Sequence, residues 1–548
     1  MMRMIGCWLM LAALVLAVGC GGGSEEGEGN GPAPAAPSAS KVLRINLGAE
    51  PKSLDPAFVT VIPDNKALHA LMEGLIVLDE NGKPTPGVAE SWSDDPTHTT
   101  WTFKLRKNAR WHNGDPVTAH DFVYATRRLL TKSVAAPYAD LVKPFLQGGD
   151  AYYSAGGLDS AAPLPGIEAV DDHTLVYRLT RPVPDFASVT FFACWLPVNE
   201  KAIKAGGESW ANSPKTFVGN GAFTMADYRS GDRIVTKKAD TYWDKDAIYW
   251  DSIELFMITD TSTENAAFRS GELDITQTIQ LSEIEYWRNR PEFRAPTGLA
   301  SYYVLFNTEA APFDDPRVRR AFSMTIDREL ISQRVTRRGE KPARGLIPAS
   351  MPSAKGGTWA TDHAPVLGKV DVEAARKLLA DAGYGPGGKT LPPIEYSYNT
   401  SDEHKIIGEQ LQAMWRDALG VDVRLQNMEN AVLQSRFATG DFQMARSSWV
   451  ADYPDPINFL EIHVTGGSYN RSRFANPQYD ELIAKATQES DTLKRDQLLA
   501  DAERLLVADQ AVIAPIYDFT FSILISDTLT NVGVNNLAWI NYVRSKRK

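Results

Sequence analysis

Cysteine is scarce in this sequence, with three residues in 548, and the three stand apart from one another. Cys7 and Cys20 lie at the start of the chain, and Cys194 stands alone among aromatic residues in "FFACWLP". A disulfide framework and a thiolate metal site both need cysteines paired at defined spacings. The sequence therefore predicts neither, and Cys194 has the setting of a small buried hydrophobe.

Catalytic signatures and blocks of positive charge are also missing. No nucleophile elbow, zinc-protease motif or phosphate-binding loop is found, and the eight histidines are scattered. The run "GYGPGG" at 383–388 fits a dinucleotide-binding pattern by letter, but it closes a helix and predicts a plain loop. The net charge is −11, and the only basic run is the short "RSKRK". The sequence thus predicts no metal, no cofactor and no nucleic-acid partner. Because residues distant in sequence can converge, a hydrolase of unfamiliar type stays an alternative.

The one long apolar run lies at the N-terminus. Arg3 precedes an apolar stretch from Ile5 to Val18 that is short for a membrane span, which is typical of a signal peptide over residues 1–19. The following "LAVGC" resembles a bacterial lipobox, with Ala17 where Leu is usual, and this predicts lipidation of Cys20. Ordinary cleavage nearby is the alternative. Residues 20–41 are rich in Gly, Pro and Ser and predict a flexible tether.

The remaining chain is long enough for more than one hydrophobic core. Strand-like alternation recurs in "KVLRINL", "TWTFKL", "HTLVYRLT", "DRIVTKKA", "SYYVLFNT" and "GVDVRLQNME". Helix starts are marked by Thr118 with Asp121, by Asp315 and Asn476 before proline, and by Asp371. "VGNGAF" at 218–223 predicts a tight turn in which glycine supplies positive φ. Together these patterns predict an α/β or α+β chain with mixed sheets.

Several linked motifs resemble one family, the extracytoplasmic solute-binding proteins of peptide ABC importers. The motifs cover roughly residues 45–520 and include "AEPKSLDP", "LMEGLIVLDENGKPTPGVAESWSDD", "FKLRKNARWHNGDPVTAHDFVYATRRL", "VGNGAFTMADY", "FRSGELDIT", "YYVLFNTEAAPFDDPRVRRAFSMTIDRELI" and "ADYPDPINFLE".

The resemblance implies a two-lobed, hinged periplasmic-binding-protein fold of the α/β class, with ligand enclosed between the lobes. Lobe I is expected to comprise residues 42–72 and 197–303, with an extra subdomain inserted at 73–196. Lobe II is expected at 304–519, and residues 520–548 are expected to return to lobe I. A monomer is expected.

The resemblance also assigns peptide-binding roles within the cleft. Asp452 in "ARSSWVADY" matches the family acid that holds the α-ammonium of a peptide, and Arg446 matches a cleft arginine. His404 matches a cleft histidine, and Arg436 matches a second arginine if one residue is inserted. These three donors are expected to serve the peptide carboxylate, according to peptide length. Tyr138 is expected to face the ligand from lobe I, and Trp449 is either cleft wall or core.

The same assignment has a physical reason. A free peptide is a zwitterion, so a buried site must neutralise both of its ends. The alternative for the "ARSSWVADYPDP" segment is a surface turn in which Arg446 pairs with Asp441 or Asp452, worth less than about 1 kcal/mol. Close relatives carry an aromatic residue at the place of Asn430 and an acid near Thr60, and this departure leaves residue preference open.

The expected function is therefore a lipid-anchored, extracytoplasmic receptor that delivers oligopeptides to an ABC permease and its ATPase subunits. Same-family receptors for dipeptides, cell-wall peptides or a metal chelate are the alternatives.

Overall fold

The computed structural model describes residues 41–79, 83–385, 387–467, 469–537 and 539–548. The predicted signal peptide, Cys20 and nearly all of the predicted tether lie outside the described residues. The strands, in chain order, are β1 (Val42–Asn46), β2 (Ile76–Leu78), β3 (Pro84–Pro86), β4 (Ala89–Asp94), β5 (Thr100–Leu105), β6 (Ile167–Asp171), β7 (Thr174–Arg178), β8 (Phe223–Arg229), β9 (Arg233–Lys238), β10 (Ser252–Phe256), β11 (Phe293–Arg294), β12 (Thr297–Phe306), β13 (Lys341–Pro342), β14 (Ile394–Asn399), β15 (Val423–Met428), β16 (Met444–Val450), β17 (Ile513–Thr520), β18 (Ile523–Leu524), β19 (Leu529–Thr530), β20 (Gly533–Val534), β21 (Ile540–Asn541) and β22 (Lys546–Arg547).

The helices lie between β1 and β17 along the chain. They are α1 (Ile62–Leu71), α2 (Ala119–Leu129), α3 (Ala139–Val142), α4 (Gly149–Ser154), α5 (Phe186–Val189), α6 (Glu200–Gly206), α7 (Thr261–Ser270), α8 (Ile284–Trp287), α9 (Pro316–Met324), α10 (Arg328–Leu330), α11 (Trp359–Asp362), α12 (Val372–Asp381), α13 (Asp402–Leu419), α14 (Asn430–Thr439), α15 (Ile457–Leu460), α16 (Pro477–Gln488) and α17 (Thr492–Arg504). None of the described helices has the length and apolarity needed to cross a membrane.

The helix starts follow the capping residues that the sequence predicts. Thr118 and Asp121 form a reciprocal capping box on α2. Asp315 and Asn476 cap α9 and α16, each with proline at the first position, and Asp371 caps α12. Local sequence therefore fixes where these helices begin.

Three sheets organise the described residues. The first has the order β1-β10-β9-β8, with β1 parallel to β10. The second, β4-β5-β7-β6, is antiparallel and is formed by residues that lie between β1 and β8 in the chain. The third is mixed, in the order β13-β17-β12-β16-β14-β15. β11 pairs with β18, which joins the segments that lead into and out of the third sheet.

The two faces of the third sheet pack against different cores. Tyr302, Val304 and Phe306 of β12 face a core that includes Tyr396 and Trp415. The alternate residues of β12, such as Tyr303 and Leu305, face the larger core shared with the first two sheets. The order of the sheets along the chain is compatible with an inserted subdomain and two lobes, and the boundaries given above stay predictions.

The glycines of the 218–223 segment have a different role from the predicted one. Gly219 and Gly221 do not adopt positive φ. A Cβ atom on Gly219 would lie 2.0 Å from the carbonyl oxygen of Leu71, and one on Gly221 would lie 2.5 Å from its carbonyl carbon. The prediction of a positive-φ turn was wrong, because glycine is needed here for close approach to the end of α1.

Residues near the C-terminus pack into the region of the first sheet. Trp250 Nε1 donates to Ser545 Oγ at 2.9 Å, and Tyr542 Oη donates to the carbonyl of Lys66. Arg547 pairs with Asp274 at 2.8 Å. Cys194 is a free, buried thiol, as predicted.

Candidate functional site

The carboxyl ends of three strands meet at one edge of the third sheet. β14 runs parallel to both β15 and β16. α13 follows β14, α14 follows β15, and the loop that carries Asp452 follows β16. Crevices outside the carboxyl ends of parallel strands are the usual ligand sites of open α/β sheets. This edge is therefore where a ligand site is expected.

Asp452 has a buried carboxylate oxygen that no donor in the described part of the chain reaches. Its backbone N–H donates to Asn458 Oδ1 at 3.1 Å, and the same oxygen accepts from Trp449 Nε1 at 2.9 Å. Asn458 thus fixes the loop, while Asp452 Oδ2 is buried and has no hydrogen-bond partner among the described residues. Burial raises the pKa of Asp452 to about 7, assisted by the charge of Glu461 and opposed by a hydrogen bond with Asn458. A cation placed at Oδ2 would offset the free-energy cost of burying the ionised carboxylate.

Asp452 lies at the junction of two cavities. The main cavity, of about 830 Å³, is lined on one side by residues such as Gly48, Thr60 and Glu264, and on the other by Trp449, Asp452 and Arg471. A side cavity of about 450 Å³ is lined by Tyr138, Phe145, Phe192, Asp452, Val464 and Ile483. Tyr138, Leu141, Phe192, Asp452 and Tyr469 border both cavities.

Aromatic side chains surround this junction. The Tyr138 ring meets Phe192 edge to face at 4.9 Å between centroids, and Trp449 meets Tyr469 at 5.5 Å. Burial raises the pKa of Tyr138, and the carboxylate of Asp452 raises it further, which places the two groups near each other. Trp449 lines the main cavity and is only half-buried, so it is a wall residue. The structure therefore brings together Asp452, Tyr138 and Trp449.

Arg446 and His404 lie together, but they line neither of the two cavities. The Arg446 guanidinium lies 5.0 Å from the centroid of the Tyr302 ring, and its Nη1 donates to Asn399 Oδ1 at 3.4 Å. Its Nε is buried and has no hydrogen-bond acceptor within the part of the chain that the structure describes. His404 Nδ1 lies 3.3 Å from Tyr302 Oη. Burial, with Arg446 and Arg338 nearby, lowers the pKa of His404 to about 3, so its imidazole is neutral at neutral pH.

Arg436 has an acidic partner elsewhere. On α14 it pairs with Glu395 at 2.7 Å and lies 3.9 Å from Asp441. It lines neither cavity, so the structure does not bring it to Asp452.

Arg471 and Tyr469 are cavity residues that sequence reasoning missed. Both line the main cavity together with Asp452. They lie in "YNRSRF", which has neither hydrophobic periodicity nor a chemical motif. The only available signal was their position between two predicted elements of the same lobe. Among the described residues, no group of three or more His, Cys, Asp or Glu side chains is placed to hold a metal ion.

Comparison with known proteins gives the relation of this chain to others. Residues 83–471 match the bacterial extracellular solute-binding proteins, family 5 (middle region). The chain belongs to this family. Family 5 membership identifies a binding protein rather than an enzyme, and it confirms the predicted fold class and the predicted extracytoplasmic location.

Individual family 5 members are similar along most of their length. The dipeptide-binding protein DppE of Bacillus subtilis (strain 168) is 38% identical over 482 residues, which cover 88% of this chain and 87% of that protein. The periplasmic oligopeptide-binding protein OppA of Salmonella typhimurium is 34% identical over 516 residues, covering 91% and 92%. The solved structure of the Escherichia coli murein tripeptide binding protein MppA is 33% identical and superposes with a TM-score of 0.79, covering 93% and 99%.

Proposed function

We propose that this protein is a receptor for oligopeptides, and that Asp452 holds the α-ammonium of the bound peptide. The observation that carries the proposal is the buried, unpartnered Oδ2 of Asp452 at the junction of two cavities. The names of the relatives support a peptide ligand, since they describe binding of dipeptides, oligopeptides and a murein tripeptide.

The chemistry of the junction suits an ammonium group. A buried carboxylate is costly unless it is paired, and an ammonium supplies both an opposite charge and hydrogen-bond donors. The rings of Tyr138, Trp449 and Tyr469 add faces that attract a cation. An ammonium is therefore the ligand group that best matches Asp452.

Arg446, His404 and Arg436 are proposed partners for the carboxylate of longer peptides. Arg446 lies on β16, and Asp452 follows six residues later, just after the end of that strand. At the rise of a strand, their Cα atoms lie at most about 20 Å apart. An extended peptide of about six residues spans the same distance. Main-chain pairing of such a peptide gives affinity without fixing its sequence.

Peptide enclosure is proposed to proceed by hinge closure of two lobes. Ligand contacts with both lobes favour the closed form and shift the population toward it. The proposed receptor is a monomer that is anchored through a lipid on Cys20 and passes its peptide to an ABC permease and its ATPase subunits.

A dipeptide receptor is the second candidate, because a relative of 38% identity is named for dipeptide binding. The main cavity of about 830 Å³ lies toward the upper end of the range of about 300 to 1,000 Å³ that is usual for small-ligand sites. Its volume, added to that of the side cavity, favours a ligand longer than a dipeptide.

The test is a calorimetric titration of wild type and Asp452→Asn with a peptide and its N-acetyl derivative. Peptides of two, three and five residues are compared. Loss of one partner of a buried charged pair costs about 2 to 5 kcal/mol, so Asp452→Asn is expected to weaken the free peptide by about 30-fold or more. Acetylation should weaken wild-type binding to a similar extent and cost the variant little, because both changes remove one interaction.

Asp441→Asn is the matched control, since Asp441 lies just before β16 with its side chain 80% exposed. It should bind the free peptide like wild type. Additive losses in the cycle would show that Asp452 does not hold the ammonium. Binding of dipeptides alone would support the second candidate, and binding of no peptide at all would contradict both.

A further inference from the structure

A half-buried arginine without an acidic partner faces the main cavity. Arg471 lies in the segment between α15 and α16, and it lines the same cavity as Asp452. Its Nη1 donates to Ser447 Oγ at 3.4 Å, and its guanidinium lies 5.0 Å from the centroid of the Phe437 ring. Arg471 forms no ion pair with any described residue. Its charge is thus held in place by a hydroxyl and a ring, and no carboxylate neutralises it.

Five other half-buried arginines of the described chain have carboxylate partners. These pairs are Arg128 with Asp55 at 2.6 Å, Arg181 with Glu461 at 3.4 Å, Arg338 with Glu403 at 2.6 Å, Arg436 with Glu395 at 2.7 Å and Arg495 with Asp455 at 2.9 Å. Pairing of this kind offsets the loss of hydration of a partly buried guanidinium. Arg106, Arg344 and Arg446 lack a carboxylate partner too, but each donates to a backbone or amide oxygen and lines neither cavity. Arg471 differs from them because it lines the main cavity together with Asp452.

The acids of the main cavity do not compensate Arg471. Glu264 is buried and accepts hydrogen bonds from the backbone N–H groups of Gln277 and Thr278 and from Thr278 Oγ1. The ammonium of Lys66 interacts electrostatically with the same carboxylate. Asp452 is assigned to the ligand ammonium under the proposed function. Neither acid of the main cavity therefore neutralises the charge of Arg471.

A neutral histidine, His463, lies near enough to Arg471 to feel its charge. His463 is buried, and neither of its ring nitrogens has a hydrogen-bond partner among the described residues. Burial, together with the charge of Arg471, lowers the pKa of His463 to about 3. His463 cannot neutralise the guanidinium, because a neutral imidazole carries no negative charge.

A series of contacts along one face of β16 connects Arg471 to Asp452. Side chains alternate along a strand, so Ser447 and Trp449 face one side, and Arg446 faces the other. Arg471 contacts Ser447, and Trp449 packs against Tyr469, which borders Asp452 in both cavities. Ser447 precedes Asp452 by five residues, which sets an upper limit of about 17 Å along the strand. A ligand of up to about five extended residues can therefore contact both groups.

We infer that Arg471 binds a carboxylate of the ligand inside the main cavity, and so makes the receptor selective for short peptides with a carboxylate within about five residues of the ammonium. This inference rests on the proposed function. The carboxylate is either the C-terminus of a tripeptide to pentapeptide or an acidic side chain of a longer one. A guanidinium suits both sources, since its planar donors match the two oxygens of a carboxylate.

The test compares two pairs of peptides by calorimetric titration at fixed ionic strength. The first pair is a neutral tripeptide with a free C-terminus and its C-terminal amide. The second pair is an octapeptide amide with Glu at position three and the same peptide with Gln there. Wild type is expected to prefer the carboxylate-bearing member of at least one pair by about 10-fold or more, as a partly desolvated charged pair requires. Arg471→Gln should reduce that preference to less than about twofold.

Two further variants separate the role of Arg471 from a general structural effect. Arg471→Lys keeps the charge but loses the planar donors, and it should retain part of the preference. Arg473→Gln is the matched control, because Arg473 lies two residues further on and donates to the carbonyl of Ala438 at 2.5 Å, outside both cavities. It should bind all four peptides like wild type.

Each pattern of results has a definite meaning. A preference lost only within the tripeptide pair assigns Arg471 to the C-terminus, and one lost only within the octapeptide pair assigns it to an acidic side chain. Arg471→Gln with an unchanged preference in both pairs overturns the inference, and the Asp452 cycle can still succeed in that case. Failure of wild type to bind any of the four peptides overturns the proposed function, and the inference with it.

Discussion

The affinity of this receptor for a peptide should pass through a maximum as pH is varied. The perturbation is a change of pH from 5 to 9 with one short peptide as ligand. Burial raises the pKa of Asp452 to about 7 in the ligand-free protein, so its carboxyl is largely protonated at pH 5. A protonated carboxyl has no charge with which to hold an ammonium. On the alkaline side, the peptide amine loses its own proton with a pKa of about 7.7 to 8.0.

The fall in affinity on the acid side of the maximum (the acid limb) and on the alkaline side (the alkaline limb) follows from these two pKa values. The ionised fraction of Asp452 is about one half at pH 7 and about one hundredth at pH 5, so binding should weaken by about 50-fold between them. Affinity is lost as pH falls, because the peptide-bound protein requires the ionised carboxyl of Asp452, whereas the free protein at low pH holds it in the neutral form. Above pH 8 the affinity should fall by about tenfold per pH unit as the amine deprotonates.

Titration calorimetry at half-unit pH intervals measures this profile directly. In Asp452→Asn the acid limb should disappear, because no carboxyl remains to titrate at that position. An N-acetyl peptide should show neither limb. Asp441→Asn should retain the wild-type profile. Constant wild-type affinity from pH 5 to pH 7 would refute the reasoning, since it would mean that an already ionised group, and not Asp452, binds the ammonium.

Two other predictions concern membrane attachment and the fold. Cys20→Ala should abolish association with membranes and uptake of labelled fatty acid, because attached acyl chains are the proposed anchor; full membrane partitioning of this variant in a cell fractionation would contradict the assignment. Gly219→Ala should destabilise the protein by about 3 kcal/mol or more in denaturant unfolding, because the new Cβ would lie 2.0 Å from the Leu71 carbonyl oxygen. The control is Gly368→Ala, which should change stability by about 0.5 kcal/mol or less because no heavy atom lies within 4 Å of its added Cβ. Asparagine carries a Cβ but tolerates positive φ, so full stability of Gly219→Asn would show that backbone conformation, and not close approach, requires glycine at this position.

Local features of the fold could be predicted because local interactions decide them. The capping residues Thr118, Asp315, Asp371 and Asn476 each satisfy backbone N–H groups within a few residues, so their role is written in the adjacent sequence. Strands such as β5 and β9 were visible because one face of each is buried, which imposes alternation.

Features that depend on distant contacts could not be read in the same way. Gly219 is constrained by Leu71, which lies about 150 residues earlier, and local patterns gave the wrong reason for the glycine. Arg471 reaches the cavity of Asp452 only because its segment packs on β16. Asp452 itself was found through a family motif, while the state of its carboxylate depends on Asn458 and on cavities formed by the whole chain. The sites of Arg446, His404 and Arg436 stay predictions.

The packing of the C-terminal residues into the first sheet also governs when this protein can fold. Ser545 and Arg547 contact Trp250 and Asp274, and Tyr542 contacts Lys66 in the middle of α1. The part of the molecule that is synthesised first is thus completed by a segment synthesised nearly last. These contacts cannot form until about 300 further residues have been synthesised, because they require the closure of a chain loop of that length.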